Sequence, residues 1–505
     1  MENVQLSFIR RRGLILFLFC GVLTLLTGCA VGPDYIKPTA ETPGSYKENA
    51  DWKVAEPRDN VIKGAWWEIY NDPQLNALEE QVNVTNQNIA AAAAQFRQAT
   101  ALVQASRAGL FPVVGASVTH SRSSRATGGS GSSSRSRSTT SDFLLTGLVT
   151  WELDVWGKIR RTVESSEASA QASNADLEAV RLSMQATLAQ DYFQLRALDA
   201  QKQLFDVTIS EYQKNLALTK NRYVGGVAAK SDVLKAETQL KTTQAQAIDI
   251  RVQRAQLEHA IATLIGKPAS TLSIPFSPLS SIPPPIPAGI PSDLLERRPD
   301  IAGAERRMAA ANAQIGVAKA AYYPAITLTG SGGFDAATLS KWLIWPSRFW
   351  SIGETAAQTI LDFGLRGAQT DQAIAAYDAS VATYRQSVLT GFQEVEDNLA
   401  ALRILEEEAA MQDEAVNASR QSVAISTNQY KAGIVSYLDV VTVMTIQFNN
   451  EQTAIGINGR RMSASVLLIK ALGGGWDSSA LRAGNRNYGE EIRTKTTDQA
   501  KSAPQ

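Results

Sequence analysis

The longest hydrophobic pattern in the chain has apolar residues at steps of three and four, the period of one face of a helix. It runs through Gly157–Val224 and again through Leu365–Lys431, and neither range contains a proline. At a rise of 1.5 Å per residue, each range predicts a helix of about 100 Å. The apolar stripes are typical of coiled-coil seams and consist of Leu177, Val180, Met184, Leu188, Tyr192, Leu195 and Leu198, and of Tyr384, Val388, Phe392, Val395, Leu399 and Leu402.

Each long helix is followed by a turn that contains glycine, at Gly226 and at Gly433, and then by a shorter helical pattern. The helix that returns after Gly226 is predicted at Val233–Ile265, and a further helix at Pro73–Ala108 precedes the first strand. Each is about half as long as Gly157–Val224. Stacked end to end, the two shorter helices would match one long helix.

Alternation of apolar and polar residues predicts two strands in each half of the chain. Every odd position from Phe143 to Leu153 is apolar, and Pro112–Ser121 and Ala325–Thr329 alternate likewise. The fourth strand, near Trp350–Leu361, is predicted mainly because the second half repeats the first. Strands of this length with one apolar face suit a transmembrane barrel, although a strand in a soluble sandwich has the same pattern.

The segments between the paired strands differ in composition. Residues 121–140 contain mostly serine, threonine, arginine and glycine, which predicts a mobile exposed loop. The corresponding segment of the second half contains Trp342, Trp345, Phe349 and Trp350. These aromatic residues fit either an interfacial belt of a membrane protein or an ordinary core.

The two halves of the chain are similar in sequence. RYVGGVAAKSDV at 222–233 aligns with QYKAGIVSYLDV at 429–440, and the alanine-rich helix from Ala93 aligns with that from Ala304. The offsets between the copies lie between 204 and 212, which indicates a tandem duplication. The predicted organisation is a signal peptide at 1–28, an N-terminal segment at 29–65, a first repeat at 66–274, a proline-rich linker at 275–291, a second repeat at 292–476 and a polar tail at 477–505.

The N-terminus has the pattern of a cleaved signal peptide. Three arginines at 10–12 precede the apolar run Gly13–Leu26, which is shorter than the roughly 20 residues of a membrane-spanning helix. Leu26-Thr27-Gly28-Cys29 resembles a bacterial lipobox, which implies cleavage before Cys29 and acylation of that cysteine. The alternative is an ordinary signal peptide cut near a chance cysteine. Ala30 follows, which in such lipoproteins implies delivery to the outer membrane.

Composition further limits which structures and functions the mature chain can have. Cys20 leaves with the signal peptide, so only Cys29 remains and no disulfide framework is expected. The 49 basic and 49 acidic residues lose three arginines and one glutamate with that peptide, so the near-neutral mature chain is not expected to bind nucleic acid. No later uncharged run is long enough for a transmembrane helix. Four strands cannot close a membrane barrel, so a barrel would be shared between chains.

An enzyme is not indicated by the candidate chemistry. His120 and His259 have no neighbouring Cys, Asp or Glu cluster with metal-ligand spacing. Gly473-Gly474-Gly475 precedes Trp476 and lacks the lysine-bearing helix of a phosphate loop. We therefore expect no catalytic site, no metal site and no cofactor other than covalent lipid on Cys29.

Six segments in order resemble the outer-membrane factor family, the NodT-type lipoprotein channels of tripartite efflux pumps. They are CAVGPDYIKP at 29, WWEIYNDPQLNAL at 66, LVTWELDVWGKIRR at 148, PSDLLERRPDI at 291, YKAGIVSYLDV at 430 and ALGGGW at 471. The resemblance implies a membrane α+β fold, in which a homotrimer forms a 12-stranded transmembrane β-barrel continuous with a 12-helix periplasmic α-barrel. It also implies outer-membrane lipid, a periplasmic adaptor and an inner-membrane pump, typically of the resistance-nodulation-division class, as partners.

The two glycine turns are candidates for a periplasmic gate. Asp232 and Asp439 occupy matching places just after the turns, and rings of carboxylates near a narrow mouth would favour cations. In the family, acidic rings with tyrosine and arginine partners close the aperture, and Tyr430 matches the tyrosine. Val435 and Thr442 stand where some relatives carry arginine and aspartate, so the family's ion-pair latch is not expected here.

Helix capping is the alternative role for both aspartates. Asp439 lies three residues after Ser436, the spacing of a capping box, and Asp232 would cap the other returning helix. The alternative for the whole protein is a trimeric coiled-coil structural lipoprotein or adhesin that conducts nothing. The alternating strands favour the channel, and the identity of its cargo is not contained in this chain.

Overall fold

The computed structural model describes residues 30–39, 42–49, 64–127, 136–286 and 294–476. The signal peptide, Cys29 and the polar tail from residue 477 lie outside these ranges. The described chain divides into two compact units. The first contains the residues up to Pro38, Arg97–Ala172 and Glu305–Thr383, and the second contains Thr39–Phe96, Ser173–Ala304 and the residues from Tyr384 onward.

The two halves of the chain have the same order of main elements. The helices of the first half are α1 (Pro73–Thr85), α2 (Gln87–Ala108), α3 (Lys158–Val224) and α4 (Lys230–Leu264). Its strands are β1 (Val113–Thr127) and β2 (Ser136–Leu153). The second half contains α5 (Leu294–Arg297), α6 (Pro299–Ala320), β3 (Ala325–Ala336), β4 (Arg348–Ala357), α7 (Leu365–Lys431) and α8 (Tyr437–Ala471). In the described ranges, no helix carries an apolar stretch suited to crossing a membrane.

The first unit is built on one antiparallel sheet with the strand order β1-β2-β3-β4. Val149 lies opposite Val114 on one side and opposite Gly330 on the other, and Gly330 lies opposite Ile352. Opposite residues of neighbouring strands share a face. One face is therefore mostly apolar and contains Val114, Val118, Leu145, Val149, Trp151, Leu328, Phe334, Trp350 and Ile352, together with Arg348 and Glu354. The other is mostly polar and contains Ser117, Thr119, Thr146, Thr150, Thr327, Thr329, Ser351 and Thr355, together with Leu144, Leu148 and Phe349.

The strands differ from the predictions at their ends. β1 and β2 continue into the segment predicted as a loop, with Ser123 opposite Thr140 and their hydroxyl oxygens 3.1 Å apart. The loop prediction for 121–140 was wrong at both ends, because main-chain pairing of a hairpin does not require apolar side chains; residues 128–135 lie outside the described ranges. β4 begins and ends earlier than predicted, so Ile360 and Leu361 follow the strand.

The aromatic residues before and within β4 are not core residues of the single chain. Trp345 is 71% exposed and Trp350 is 77% exposed. The guanidinium of Arg348 lies 3.6 Å from the centre of the Trp345 ring. An ordinary core, one of the two alternatives for the aromatic residues of this segment, therefore does not account for Trp345 and Trp350 in the single chain.

The helix predicted at Pro73–Ala108 is broken at Asn86, so that prediction was wrong. The Asn86 side chain accepts hydrogen bonds from the main-chain N–H groups of Asn88 and Ile89 at 2.9 and 3.1 Å and starts α2. It also donates to the carbonyl oxygen of Leu264 at 2.8 Å. The break therefore joins the start of α2 to the end of α4, as expected for end-to-end stacking, and no glycine or interior proline marks it in the sequence.

The core of the second unit lies along the predicted stripes of the long helices. Leu188, Tyr192 and Leu195 of α3 are at most 1% exposed, as are Tyr384, Val395 and Leu399 of α7. Trp66 and Leu75 pack into the α3 cluster together with Ile261 of α4 and Ile469 of α8. The helical period therefore identified the buried faces correctly.

A buried polar network holds the linker in the second unit. Asp199 is fully buried, accepts from Arg254 Nε at 2.7 Å and accepts from the main-chain N–H of Ser277 at 3.0 Å. Arg196 donates to the carbonyl oxygen of Pro275 at 2.7 Å, and Arg254 donates to that of Ile274 at 2.7 Å. The start of the linker is thus bonded to α3 and α4 through its main chain.

Candidate functional site at the two helix turns

The turns after α3 and α7 have the same hydrogen-bonding geometry. The N–H of Val227 donates to the carbonyl oxygen of Arg222 at 2.8 Å, and that of Ile434 donates to Gln429 at 2.9 Å. Gly226 and Gly433 have φ values of 73° and 80°. These are Schellman motifs, in which a glycine adopts the left-handed conformation that other residues disfavour. Both predicted turn glycines therefore end a long helix.

Arg222 connects the ends of the two long helices. Its Nη1 donates to the carbonyl oxygens of Tyr430 and Lys431, at 2.9 and 3.1 Å. Its guanidinium lies over the Tyr430 ring, 4.6 Å from the ring centre. The arginine thereby satisfies carbonyl groups that lie in the last turn of α7 and places a positive charge at the negative end of that helix.

Tyr430 lies in a buried aromatic cluster beneath this contact. It is 5% exposed, and its ring centre lies 5.7 Å from that of Tyr437. Tyr212 completes the cluster and accepts a hydrogen bond from Gln239 at 3.3 Å. Burial is the main cause that raises the pKa of the Tyr437 hydroxyl, and the Asp232 charge contributes less. The cluster is therefore a neutral, apolar support under the charged Arg222.

Asp439 is bonded within its own turn. Its carboxylate accepts from the main-chain N–H of Ser436 at 2.9 Å and from the Ser436 hydroxyl at 2.7 Å. The Ser436 hydroxyl accepts from the Asp439 N–H at 3.4 Å, which completes a capping box at the start of α8. These bonds from Ser436 lower the pKa of the exposed Asp439 carboxyl below its usual value. The structure places Asp439 in the capping role that was one of its two alternatives.

Asp232 differs from its counterpart in the other repeat. It lies in the first turn of α4, but the helix begins after Ala229 without a side-chain cap. Its carboxylate lies 3.6 Å from Nζ of Lys235. The start of α4 therefore lacks the hydroxyl half of a capping box, because Ala229 stands at the place of Ser436 and has no hydroxyl to share.

Arg222 was not among the predicted gate residues. The resemblance to the outer-membrane factor family had singled out Val435 and Thr442 instead. Val435 lies against the buried aromatic cluster, and the Thr442 hydroxyl donates to the carbonyl oxygen of Leu438 at 2.8 Å. A basic residue in the last turn of a helix, just before a glycine, was the available signal. The same signal does not show which helix end the arginine reaches. Cys29, the predicted lipid site, lies outside the described ranges.

Apolar side chains surround the two turns on the outside. The most exposed are Val224, Val227 and Ile434, which are 86, 69 and 73% exposed, and Leu438 and Leu234 are each 54% exposed. A group of exposed apolar residues at the end of a helical structure is typical of an interaction surface. We call these five residues the apolar rim.

Comparison with known proteins identifies the family to which this architecture belongs. The family model described as "Outer membrane efflux protein" matches residues 78–267 and 290–474. The chain is 30% identical to the pyoverdine export outer membrane protein OpmQ of Pseudomonas aeruginosa over 417 residues, which cover 82% of this chain and 88% of OpmQ. It is 30% identical to the toluene efflux pump outer membrane protein TtgC of Pseudomonas putida over 463 residues, which cover 90% and 94%.

A solved structure agrees with these sequence relationships. The outer-membrane channel OprN superposes with a TM-score of 0.83 at 30% identity, covering 89% of this chain and all of the OprN chain. The two matched ranges of the family model correspond to the two repeats. The resemblance predicted from the six sequence segments is confirmed. The chain belongs to the outer membrane efflux protein family and is the outer-membrane channel component of an efflux system.

Proposed function

We propose that three copies of this chain form one channel, with a 12-stranded barrel in the outer membrane that continues into a 12-helix periplasmic tunnel. The channel receives small molecules from a periplasmic adaptor and an inner-membrane transporter, and it releases them outside the cell. The chain itself carries out no chemical reaction. Its tasks are to conduct small molecules, to close the channel and to dock onto the adaptor.

The observation that carries this proposal is the apolar, exposed face of the four-stranded sheet. Val114, Val118, Trp350 and Ile352 are each at least 67% exposed on that face. In water such a face is unfavourable, whereas lipid would cover it at no hydrophobic cost. The opposite face carries the serine and threonine side chains that a water-filled lumen requires.

The edge strands of the sheet support a barrel that is shared between copies. β1 and β4 are its edge strands. In a bilayer their main-chain N–H and C=O groups need partners, and an open edge leaves them without any. Pairing of β4 of one copy with β1 of the next satisfies both edges, and three copies with four strands each give the 12 strands that the family resemblance implies.

We assign closure to the contact between Arg222 and Tyr430. It bonds the end of α3 to the end of α7, whose last residues lead into the Gly226 and Gly433 turns. A tip opens when the helix pairs separate, and this contact opposes separation within each copy. Asp232, Tyr430 and Asp439 were the predicted gate residues, of which Tyr430 has the contact that suits this task best.

The apolar rim is the proposed contact surface for the adaptor. Burial of five exposed aliphatic side chains gives an association that needs no ion pair. The relatives OpmQ and TtgC are named for pyoverdine and for toluene at the same 30% identity, so relatedness alone does not select the cargo. We propose that the transporter selects it, and that lipid on Cys29 anchors the chain beside the barrel.

A crosslinked pull-down from intact cells tests the proposed assembly. The chain carries a C-terminal tag, and partners are identified by mass spectrometry after crosslinking. A periplasmic adaptor and an inner-membrane transporter are expected, and Val227→Asp with Ile434→Asp should reduce their recovery while a Val84→Asp control does not. Recovery of only peptidoglycan or outer-membrane proteins would instead support the structural lipoprotein.

A further inference from the structure

The two repeats correspond residue by residue around the strands of the first unit. The N–H of Phe111 donates to the carbonyl oxygen of Ala108 at 3.0 Å, and the N–H of Tyr323, 212 positions later, donates to that of Ala320 at 3.1 Å. Pro112 and Pro324 follow these residues and precede β1 and β3. An offset of 212 therefore relates the first strand of each repeat.

A different offset relates the second strand and the start of the long helix. The N–H of Arg161 donates to Gly157 at 2.8 Å, and the N–H of Ala368, 207 positions later, donates to Gly364 at 2.9 Å. Gly157 and Gly364 have φ values of 77° and 93°. An offset of 207 thus relates the glycines that precede the two long helices.

Both offsets also predict a side-chain contact correctly. Trp151 Nε1 donates to the carbonyl oxygen of Leu110 at 3.0 Å. Adding the offsets gives Gln358 and Tyr322, and Gln358 Nε2 donates to the carbonyl oxygen of Tyr322 at 3.1 Å. The correspondence therefore extends to individual side chains and their partners.

Trp156 joins the first repeat to the second inside one chain. Its ring stacks on Tyr323, with ring centres 4.7 Å apart and planes at 25°. Its Nε1 donates to the carbonyl oxygen of Pro324 at 2.8 Å. The residue before the long helix of one repeat thus packs on the residues before the first strand of the other.

The residues that correspond to Trp156 and Tyr323 in the other repeat are exposed. An offset of 207 takes Trp156 to Phe363, which is 93% exposed and has a φ of 51°. An offset of 212 takes Tyr323 back to Phe111, which is 67% exposed. Two aromatic rings that correspond to a stacked pair are therefore left without that contact within the chain.

We propose that Phe363 of one copy packs on Phe111 of a neighbouring copy, in the position that Trp156 takes on Tyr323 within each chain. The inference rests on the trimer proposed above and adds the specific contact that locks neighbouring copies beside the sheet. The occupant of this surface is a second copy because the chain already contains the same contact between its own repeats.

The same offsets give the register of the sheet between copies. Within the chain, Leu148 of β2 lies opposite Ser331 of β3. The offsets turn this pair into Thr355 of β4 opposite Thr119 of β1 in the next copy. Both threonines lie on the polar face of the sheet. A slip of one residue would exchange the faces, so agreement of the two faces is an independent check on the mapping.

Crosslinking through cysteine tests the contact. Phe111→Cys and Phe363→Cys are placed in separately tagged full-length chains, which are coexpressed and treated in membranes with a short bis-methanethiosulfonate reagent. A mixed dimer that carries both tags and disappears on reduction is expected, at least ten-fold above either single variant. Val84→Cys replaces Phe111→Cys in the control, because Val84 is 83% exposed but does not correspond to Tyr323.

The oligomeric state, measured in parallel by light scattering, separates the possible failures. A trimer without the 111–363 crosslink would overturn the proposed contact and leave the proposed channel standing. A monomer would overturn both the contact and the shared barrel. Crosslinking of the Val84 control to the same extent would also overturn the contact, since it would show random collision.

A second test uses the difference between phenylalanine and tryptophan. Phe363 has no ring N–H, so Phe363→Trp restores the donor that Trp156 directs to Pro324 and should raise the temperature at which trimers dissociate in detergent. Phe363→Ala should lower it. Phe111→Ala should abolish the gain of Phe363→Trp, and equal dissociation temperatures in all of these variants would contradict the contact.

Discussion

Arg222 Nη1 donates to the carbonyl oxygen of Tyr430 at 2.9 Å, so a residue of the first repeat caps the long helix of the second. The contact is asymmetric, because Gln429 stands at the place of Arg222 in the second repeat. Duplicated sequences thus acquired different roles at the two turns. The first repeat supplies the arginine, and the second supplies the tyrosine and the capping box.

Loss of Arg222 should make the closed channel leak. A cation–π contact with added hydrogen bonds contributes about 1–2 kcal/mol, which corresponds to roughly ten-fold in the ratio of closed to open tips. Cells with Arg222→Ala should therefore become more sensitive to large hydrophilic antibiotics that the intact outer membrane excludes. The matched control is Lys220→Ala, since Lys220 is exposed on the same turn. Equal sensitivity of the two variants would remove Arg222 from closure.

Asp439→Ala should weaken the start of α8 without opening the channel, because the carboxylate is bonded to Ser436 of its own turn. Faster hydrogen exchange of the amide N–H groups of Ser436 and Asp439 measures the loss of the cap. Closed-state conductance should be unchanged. An increase in conductance equal to that of Arg222→Ala would return Asp439 to the gate.

The pH dependence of this cap follows from the direction of the pKa shift. Hydrogen bonds from Ser436 hold the pKa of Asp439 below its ordinary value of 3.8. The carboxylate therefore stabilises the folded turn fully above that value, and the contribution is lost as the pH falls through the lowered pKa. Exchange at Ser436 should not respond to pH beyond its intrinsic rate between about pH 5 and pH 8. A protection change in that window would contradict this assignment.

Replacing a turn glycine should reduce the stability of the fold more than replacing a glycine inside a helix. Gly226 has a φ of 73° and open space around it, so Gly226→Ala is penalised by its backbone conformation alone, by about 1–2 kcal/mol. Gly456 lies inside α8 with open space as well, and Gly456→Ala should stabilise by about 1 kcal/mol. Denaturant midpoints measure both, and a shift in the same direction would contradict the turn geometry.

Breaking the buried polar network that holds the linker should destabilise the fold strongly. Asp199→Ala leaves the guanidinium groups of Arg196 and Arg254 without their buried carboxylate, and removing one partner of a buried pair costs about 3–5 kcal/mol. Thermal unfolding measures the loss. The exposed pair of Lys202 and Asp206 provides the control, since Asp206→Ala should change stability by less than about 1 kcal/mol.

Periodicity was sufficient for the long helices and for the faces of the strands. The buried positions of α3 and α7 follow the predicted stripes, because one helix face must enter the core over the whole length. The break at Asn86 was not visible, since it depends on a hydrogen bond to Leu264, which is remote in sequence. The hairpin ends were missed because their pairing involves the main chain.

The candidate site was only partly readable for the same reason. The glycines at 226 and 433 and the capping box of Asp439 are local features, and local sequence predicted them. Arg222 acts on carbonyl groups more than 200 residues away, so its partner emerges only in the folded chain. Tyr430 was found through the family resemblance, which did not identify the arginine that covers it.

Single-channel recording of the purified full-length protein in planar lipid bilayers distinguishes a conducting channel from a structural lipoprotein. Wild-type trimers should give discrete conductance steps, with a larger open fraction for Arg222→Ala and an unchanged open fraction for Asp439→Ala. Protein that inserts into the bilayer as a trimer but gives no conductance steps in any variant would contradict the channel and favour the structural lipoprotein.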